Sequence, residues 1–379
     1  MSSPLTVLEV LAFVFVGAVG IGLLCVVTLF IIDRVQTQDA IRRNYPVIGR
    51  FRKVFSTLGE FFRQYFFAMD REELPFNRAQ RDWVKRTGEP HSNTVAFGST
   101  RNLSIVGTPI FVNAAFPPLD DQFASSGPMV IGAGARLPYT AQSFFNISGM
   151  SYGALSRPAV RALSRGAAKA GIWMNTGEGG LSPFHLEGGC DIVFQIGTAK
   201  FGVRDEDGAL NEDKLRKIAA NACEIRGLKE GVDAISPNRH VEIDDWDDLL
   251  DMIVRLRDIT GKPVGIKTVV GDRESFRDLM QTIKKRGEDC APDFITIDGG
   301  EGGTGAAPMP LIDLVGMSIR ESLPLAADLR NEAGLKDRIR LVASGKLVNP
   351  GDVAWALAAG ADFITSARGF MFSLGCLQS

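Results

Sequence analysis

The chain has 379 residues, 45% hydrophobic and 23% charged, with a formal net charge of −2. That fits a folded protein of one large or two ordinary domains and gives no reason to expect nucleic acid as a partner. Five scattered cysteines (Cys25, Cys190, Cys223, Cys290, Cys376) form no C-x-x-C pair and suit a reducing compartment, and three histidines argue against a histidine-rich metal site.

The first predicted element is apolar. Val10–Ile32 carries no charged residue, and about 23 helical residues span roughly 35 Å, enough to cross a bilayer. Met1 to Glu9 has no Lys or Arg, unlike the basic start of a cleaved signal. Basic residues follow the run (Arg34, Arg42, Arg43, Arg50, Arg52, Lys53). The positive-inside rule therefore expects a single-pass membrane protein with its body in the cytoplasm. From Arg50 to Met69, apolar residues at Phe51, Val54, Phe55, Leu58, Phe61, Phe62, Tyr65, Phe66 and Met69 keep helical spacing. That face suits packing against the globular domain, with the membrane surface as the alternative. Pro75 to Thr140 is turn-rich and is expected to cap the domain after it. The expected division is 1–33 transmembrane, 34–144 juxtamembrane and capping, and 145–379 the main domain.

From Phe145 onward, short β-rich runs alternate with helical ones. Strands are expected at Phe145–Met150, Gly171–Thr176, Ile192–Ile196, Val232–Ser236, Val264–Val270, Phe294–Gly299, Arg340–Ser344 and Phe363–Ala367. Helices are expected at Ser156–Ala170, Asn211–Arg226, Asp244–Ile259, Arg273–Arg286, Leu311–Glu332 and Asn349–Ala359. Eight strands alternating with helices predict an α/β protein, a (β/α)8 TIM barrel, over an open doubly wound sheet.

Glycines gather where expected strands end. Asn175-Thr176-Gly177-Glu178-Gly179-Gly180 follows one strand, and Gly299-Gly300-Glu301-Gly302-Gly303-Thr304-Gly305 follows another. Such runs bring bare backbone N–H groups against something flat or anionic. The last two strands end in Ala343-Ser344-Gly345-Lys346 and Ser366-Ala367-Arg368-Gly369, where many barrels bind phosphate. Lys267 lies mid-strand among apolar neighbours and needs a partner if buried. Facing the mouth, it would neutralise an anionic reduced flavin; facing outward, it would merely snorkel. Gln195 poses the same question, and its paired donor and acceptor suit the edge of an isoalloxazine ring. Glu178 and Glu301 sit inside the glycine runs, placed either for proton transfer and imine orientation or for anchoring loops. His185 and His240 read as structural.

The strings Asn146-Ile147-Ser148-Gly149-Met150-Ser151-Tyr152-Gly153-Ala154-Leu155-Ser156, Asn175–Gly180, Gln195-Ile196-Gly197, Phe201-Gly202-Val203, Asp298–Ala306 and Ser366–Gly369 resemble the FMN-binding domain of glutamate synthase. The resemblance is nearer to its stand-alone, membrane-anchored bacterial relatives, which carry a segment like Asn44–Arg50. It implies a barrel in which reduced FMN gives hydride to 2-iminoglutarate, made from 2-oxoglutarate and ammonia, yielding L-glutamate. By that resemblance, Met150, Ser151, Asn175, Gln195 and Lys267 touch the flavin ring. Gly303, Thr304 and Gly305, with Ser344, Gly345, Lys346, Ala367 and Arg368, hold its phosphate. Arg226 binds a 2-oxoglutarate carboxylate, with Glu178 beside it.

The chain departs from that pattern in three places. The family has a longer segment between the positions of Leu210 and Arg226, whose loop adds 2-oxoglutarate contacts; its absence weakens Val232–Ser236 as a fourth strand. The family adds two cysteines after the position of Cys376 to complete a [3Fe–4S] cluster, which this chain does not supply. It also has no amidotransferase or pyridine-nucleotide domain, so ammonia and electrons are expected from an unidentified partner. The alternatives are an N-methylglutamate-synthase-like enzyme using another amine donor, or an inactive membrane-tethered remnant that binds FMN.

Overall fold

The computed structural model describes residues 4–67, 71–88, 94, 98–220, 224–225, 236–302 and 309–376, in two compact units, Met1–Glu73 and Leu74–Ser379. The first unit begins with helix Pro4–Val35, whose stretch Leu8–Val35 is long and apolar enough to cross a membrane. After a bend come helix Ala40–Asn44, capped by the Asp39 side chain, and helix Ile48–Phe62. The latter runs into a π-helical turn at Arg63–Phe67, so the expected Arg50–Met69 helix starts earlier and widens near its end.

One carboxylate organises the bend. Asp33 is fully buried. It accepts from Arg42 Nε and Nη2 at 3.0 and 2.7 Å, from Arg50 Nε and Nη2 at 2.8 and 2.7 Å, and from Val47 N at 3.1 Å. A buried carboxylate is tolerated only when so fully satisfied. Val47 pays for this contact in conformation, with φ of 65°, a region β-branched residues avoid.

In the second unit, strands β1 (Met129–Ile131) and β2 (Tyr139–Ala141) form an antiparallel hairpin. Nine further strands follow: β3 (Phe145–Ile147), β4 (Met174–Asn175), β5 (Gly180–Leu181), β6 (Ile192–Val193), β7 (Glu224–Ile225), β8 (Gly265–Val269), β9 (Phe294–Asp298), β10 (Arg340–Ser344) and β11 (Phe363–Ser366). Seven of them make one sheet in the order β6-β4-β3-β11-β10-β9-β8, and every pairing in it is parallel. That is the cyclic order of a (β/α)8 barrel, with the late strand β11 hydrogen-bonded to the early strand β3. The ring position between β6 and β8 is the one expected from Val232–Ser236, and residues 232–235 lie outside the described residues.

Side chains alternate across each strand. Ile295, Ile297, Leu341, Ala343 and Ile364 point outward into a cluster with Phe276, Leu279, Ile283, Leu323 and Ala356 of the surrounding helices. Trp173, Val342 and Phe363 point inward and pack with Ile131 and Ala141, with Val193 and Phe294 against them. The hairpin thus plugs the N-terminal end of the barrel. Two positions further along the same inward faces lie Asn175, Gln195, Thr296, Ser344 and Thr365. The barrel interior changes from apolar at the plug to polar at the C-terminal mouth.

Two expected helices differ. Leu311–Glu332 is divided into Met309–Leu314 and Ile319–Glu332, because Gly316 takes φ of 93° and Met317 N donates to Val270 O at 2.9 Å. Asn211–Arg226 ends at Ala219, after which β7 pairs antiparallel with β5. Helix Arg78–Gly88 was not expected; Val84 and Phe76 pack on Val348 and Phe372.

Candidate active site

Two arcs of residues meet at the C-terminal mouth. The first rises from β3, β4 and β6. Asn146 is buried and ties adjoining segments, donating from Nδ2 to Ser143 O and accepting from Trp173 N, each at 3.0 Å. Gly177, at φ of 62°, lies against the Met150–Ser151 peptide, where a Cβ would come 2.6 Å from Ser151 N. Its N–H donates to Asn175 Oδ1 at 2.8 Å. A Cβ on Gly149 would lie 2.6 Å from Gln195 Oε1 and 3.0 Å from Asn175 Oδ1. Met150, Ser151, Asn175 and Gln195 are therefore brought together by two glycines that leave no room for a side chain.

Gln195 is anchored by its donors. Its backbone N–H reaches Thr176 Oγ1 and its Nε2 reaches Glu178 Oε1, both at 3.2 Å. Its Oε1 is buried without a hydrogen-bond partner. An acceptor left bare in that setting costs free energy unless a ligand donor meets it. Glu178 is solvent-exposed and lies over Gly197, where a Cβ would approach its Cδ to 2.8 Å.

The second arc comes from β8 to β11. Lys267 Nζ pairs with Asp298 Oδ2 at 2.7 Å, with side-chain exposures of 35% and 11%. Lys267 sits opposite Thr296 in the β8–β9 register, so it faces the mouth, partly open to solvent rather than buried. Ser344 and Ser148 are buried with hydroxyls 3.5 Å apart, joining the two arcs across β11. Thr365, between them, is buried with an unpartnered Oγ1. Gly345, at φ of 138°, passes close to Gly299 N, and Lys346 takes φ of 52°. Ala367 precedes the short helix Arg368–Ser373, and Arg368 is exposed. Glu301 accepts from Ile319 N through both carboxylate oxygens at 3.0 Å, tying the glycine run to the start of a helix. Gly303, Thr304, Gly305 and Arg226 lie outside the described residues.

Sequence reasoning missed Asp298, Ser148 and Thr365, and it missed a lateral group around Lys200. Lys200 is 2% exposed, has φ of 50° and pairs with Glu242 at 2.9 Å. Burial and the Lys200 charge push the His240 pKa down, opposed by Glu242 and Glu178. The signal available was a lysine set between Ala199 and Phe201, the same oddity that drew notice to Lys267. His185 is structural: fully buried, it accepts from Ser182 N through Nδ1 at 3.1 Å. Among the described residues no group of three His, Cys, Asp or Glu side chains could hold a metal ion. Cys376 is half-buried.

Comparison with known proteins gives a consistent set of relatives. The family model for the conserved region in glutamate synthase matches residues 133–215 and 206–379, its two pieces meeting beside the segment where the sequence looks shortened. The glutamate synthase large subunit-like protein YerD of Bacillus subtilis is 35% identical over 441 aligned positions, covering 98% of this chain and 83% of that protein. An archaeal-type glutamate synthase [NADPH] of Dehalococcoides mccartyi is 32% identical over 246 residues, covering 60% of this chain and 48% of that protein. The chain thus spans about half the length of the archaeal-type relatives. A mandelate oxidase mutant solved with a monooxide FMN adduct superposes at TM-score 0.42 with 19% identity, over 66% of this chain and 71% of that one.

Proposed function

Because the chain belongs to the glutamate synthase family, a family of oxidoreductases, we propose that it binds FMN and reduces 2-iminoglutarate, formed from 2-oxoglutarate and ammonia, to L-glutamate. The observation that carries this reading is the bare, buried Gln195 Oε1 packed over Gly149 beside Asn175. A ring N–H of an isoalloxazine is the kind of donor that would satisfy it. The residues present fit that group: Met150, Ser151, Asn175, Gln195 and Lys267 would hold the ring. Ser344, Gly345, Lys346, Ala367 and Arg368, with Gly303, Thr304 and Gly305, would hold the phosphate.

When bound, the flavin supplies the hydride. The chain's own residues supply position and charge. Lys267 brings a cation to the ring, and Asp298 fixes its direction from 2.7 Å. Glu178, steadied by Gln195 Nε2, stands at the open side, where a carboxylate orients an imine or moves its proton. Arg226 would take a substrate carboxylate. Glu301, engaged with Ile319 N, would act by holding the loop rather than by touching substrate. Electrons and ammonia would come from an unidentified partner. Leu8–Val35 would anchor the chain as a single span with the catalytic body in the cytoplasm.

A second reading is favoured by the family match falling into two pieces that overlap at residues 206–215: with a shortened substrate loop, the amine donor would be a methylamine-type compound, as in an N-methylglutamate synthase. The test is the spectrum of detergent-solubilised full-length protein, with released cofactor identified by mass. Reduced flavin reoxidised anaerobically by 2-oxoglutarate plus ammonium supports the first reading. Reoxidation by 2-oxoglutarate plus methylamine, but not plus ammonium, supports the second. Bound flavin unresponsive to both identifies an inactive remnant, and colourless folded protein that refuses FMN overturns the proposal.

A further inference from the structure

Helix Ile48–Phe62 presents Phe51, Val54, Phe55 and Leu58 at 55%, 53%, 66% and 43% exposure. At about 100° per residue these fall on one stripe. Arg50 and Arg52 flank the stripe on opposite sides, and Glu60 falls across the helix from it. Phe66 and Phe67 extend the exposed aromatic surface, at 67% and 74%.

The helix is not free to leave the end of the apolar helix. Arg50, in its first turn, bonds to Asp33 in the last turn of Pro4–Val35 at 2.7 Å. Arg42 holds the same carboxylate from the intervening helix at 2.7 Å. Gly49 lets the segments close up: a Cβ there would come 3.1 Å from Ile41 O. If Leu8–Val35 crosses a bilayer, its basic-flanked end lies at the interface, and the first turn of the second helix lies there with it. An aromatic stripe about 22 Å long for 15 residues, with Arg52 at one edge and Arg50 held by Asp33 at the other, matches the boundary between headgroups and acyl chains.

We infer that helix Ile48–Phe62 lies in the headgroup layer of the membrane its neighbour crosses, its aromatic stripe toward the lipid and the Asp33 clasp fixing it there. This rests on the membrane reading above, and the test separates the two. In full-length protein freed of native cysteines and reconstituted in phosphatidylcholine–phosphatidylserine vesicles, single nitroxides are placed by Gly20→Cys, Phe55→Cys and Glu60→Cys. Power saturation then compares access to oxygen and to a water-soluble nickel complex. The expected result is oxygen access with little nickel access at 20 and 55, and the reverse at 60, with the Phe55→Cys label moving several-fold toward nickel when Asp33→Asn opens the clasp. Position 55 as nickel-accessible as 60, while 20 stays in lipid, overturns the surface helix. Position 55 closed to both reagents also overturns it, since protein then covers the stripe. An unchanged position 55 in the Asp33→Asn background removes the clasp from the proposal. Nickel access at position 20 sinks the membrane reading itself.

Discussion

At the residue scale, the mouth makes three separable claims. On the proposed reading, Lys267→Ala removes the cation at the flavin ring and should lower the two-electron potential of bound flavin by roughly 30 mV or more, since 30 mV corresponds to about 1.4 kcal/mol; redox titration of the purified variant checks this. The two glycines should behave differently. Gly177→Ala meets backbone atoms at a positive φ and should destabilise the fold by about 1–3 kcal/mol. Gly149→Ala meets side-chain atoms, of Gln195 and Asn175, so it should cost less stability than Gly177→Ala, read from urea midpoints, and weaken FMN retention. His185 carries the acid sensitivity. Burial lowers its pKa to about 4, against a smaller opposing pull from the Met150 backbone. The unfolded chain binds that proton near 6.5, so stability is complete above about pH 6.5 and falls as pH drops toward 4. The loss is on the order of 2–3 kcal/mol, and His185→Gln should flatten the slope of melting temperature against pH in that window.

At the element scale, what could be read in advance depended on where each strand buries its side chains. β10 spans Arg340–Ser344 as expected, and β9 and β11 fall within one residue of expectation, because outward Ile and Leu alternate with inward residues in apolar runs. β4 and β6 shrink to two residues each, less than their apolar runs suggested. Hairpin β1–β2 escaped notice: its strands have three residues each, too short to show a period. Asp298 escaped for another reason, since a carboxylate before a glycine run reads as a strand end and only the fold reveals Lys267 beside it. The hairpin's contribution can be measured. Ile131→Ala should cost about 2–4 kcal/mol and Phe363→Ala about 3–5 kcal/mol, read from urea midpoints. Only changes at the mouth should also weaken FMN binding, because the plug lies at the opposite end of the barrel.

At the scale of the whole molecule, the membrane span proposed for Leu8–Val35 fixes which side of the bilayer the barrel should occupy. On that proposal, with Arg34, Arg42 and Arg43 following the apolar stretch, external protease should spare the barrel in sealed cells expressing the protein and digest it once the membrane is opened. The seam between β3 and β11 bears on how such a protein is made. Ser148 and Ser344, whose hydroxyls meet across β11, are 196 residues apart in the chain, and pairings that distant form slowly. Until β11 and the turn after it emerge from the ribosome, the polypeptide lacks Ala367 and Arg368, two of the residues proposed to hold the phosphate. Ribosomes stalled before Phe363 should therefore carry nascent chains that retain FMN less tightly than the released protein.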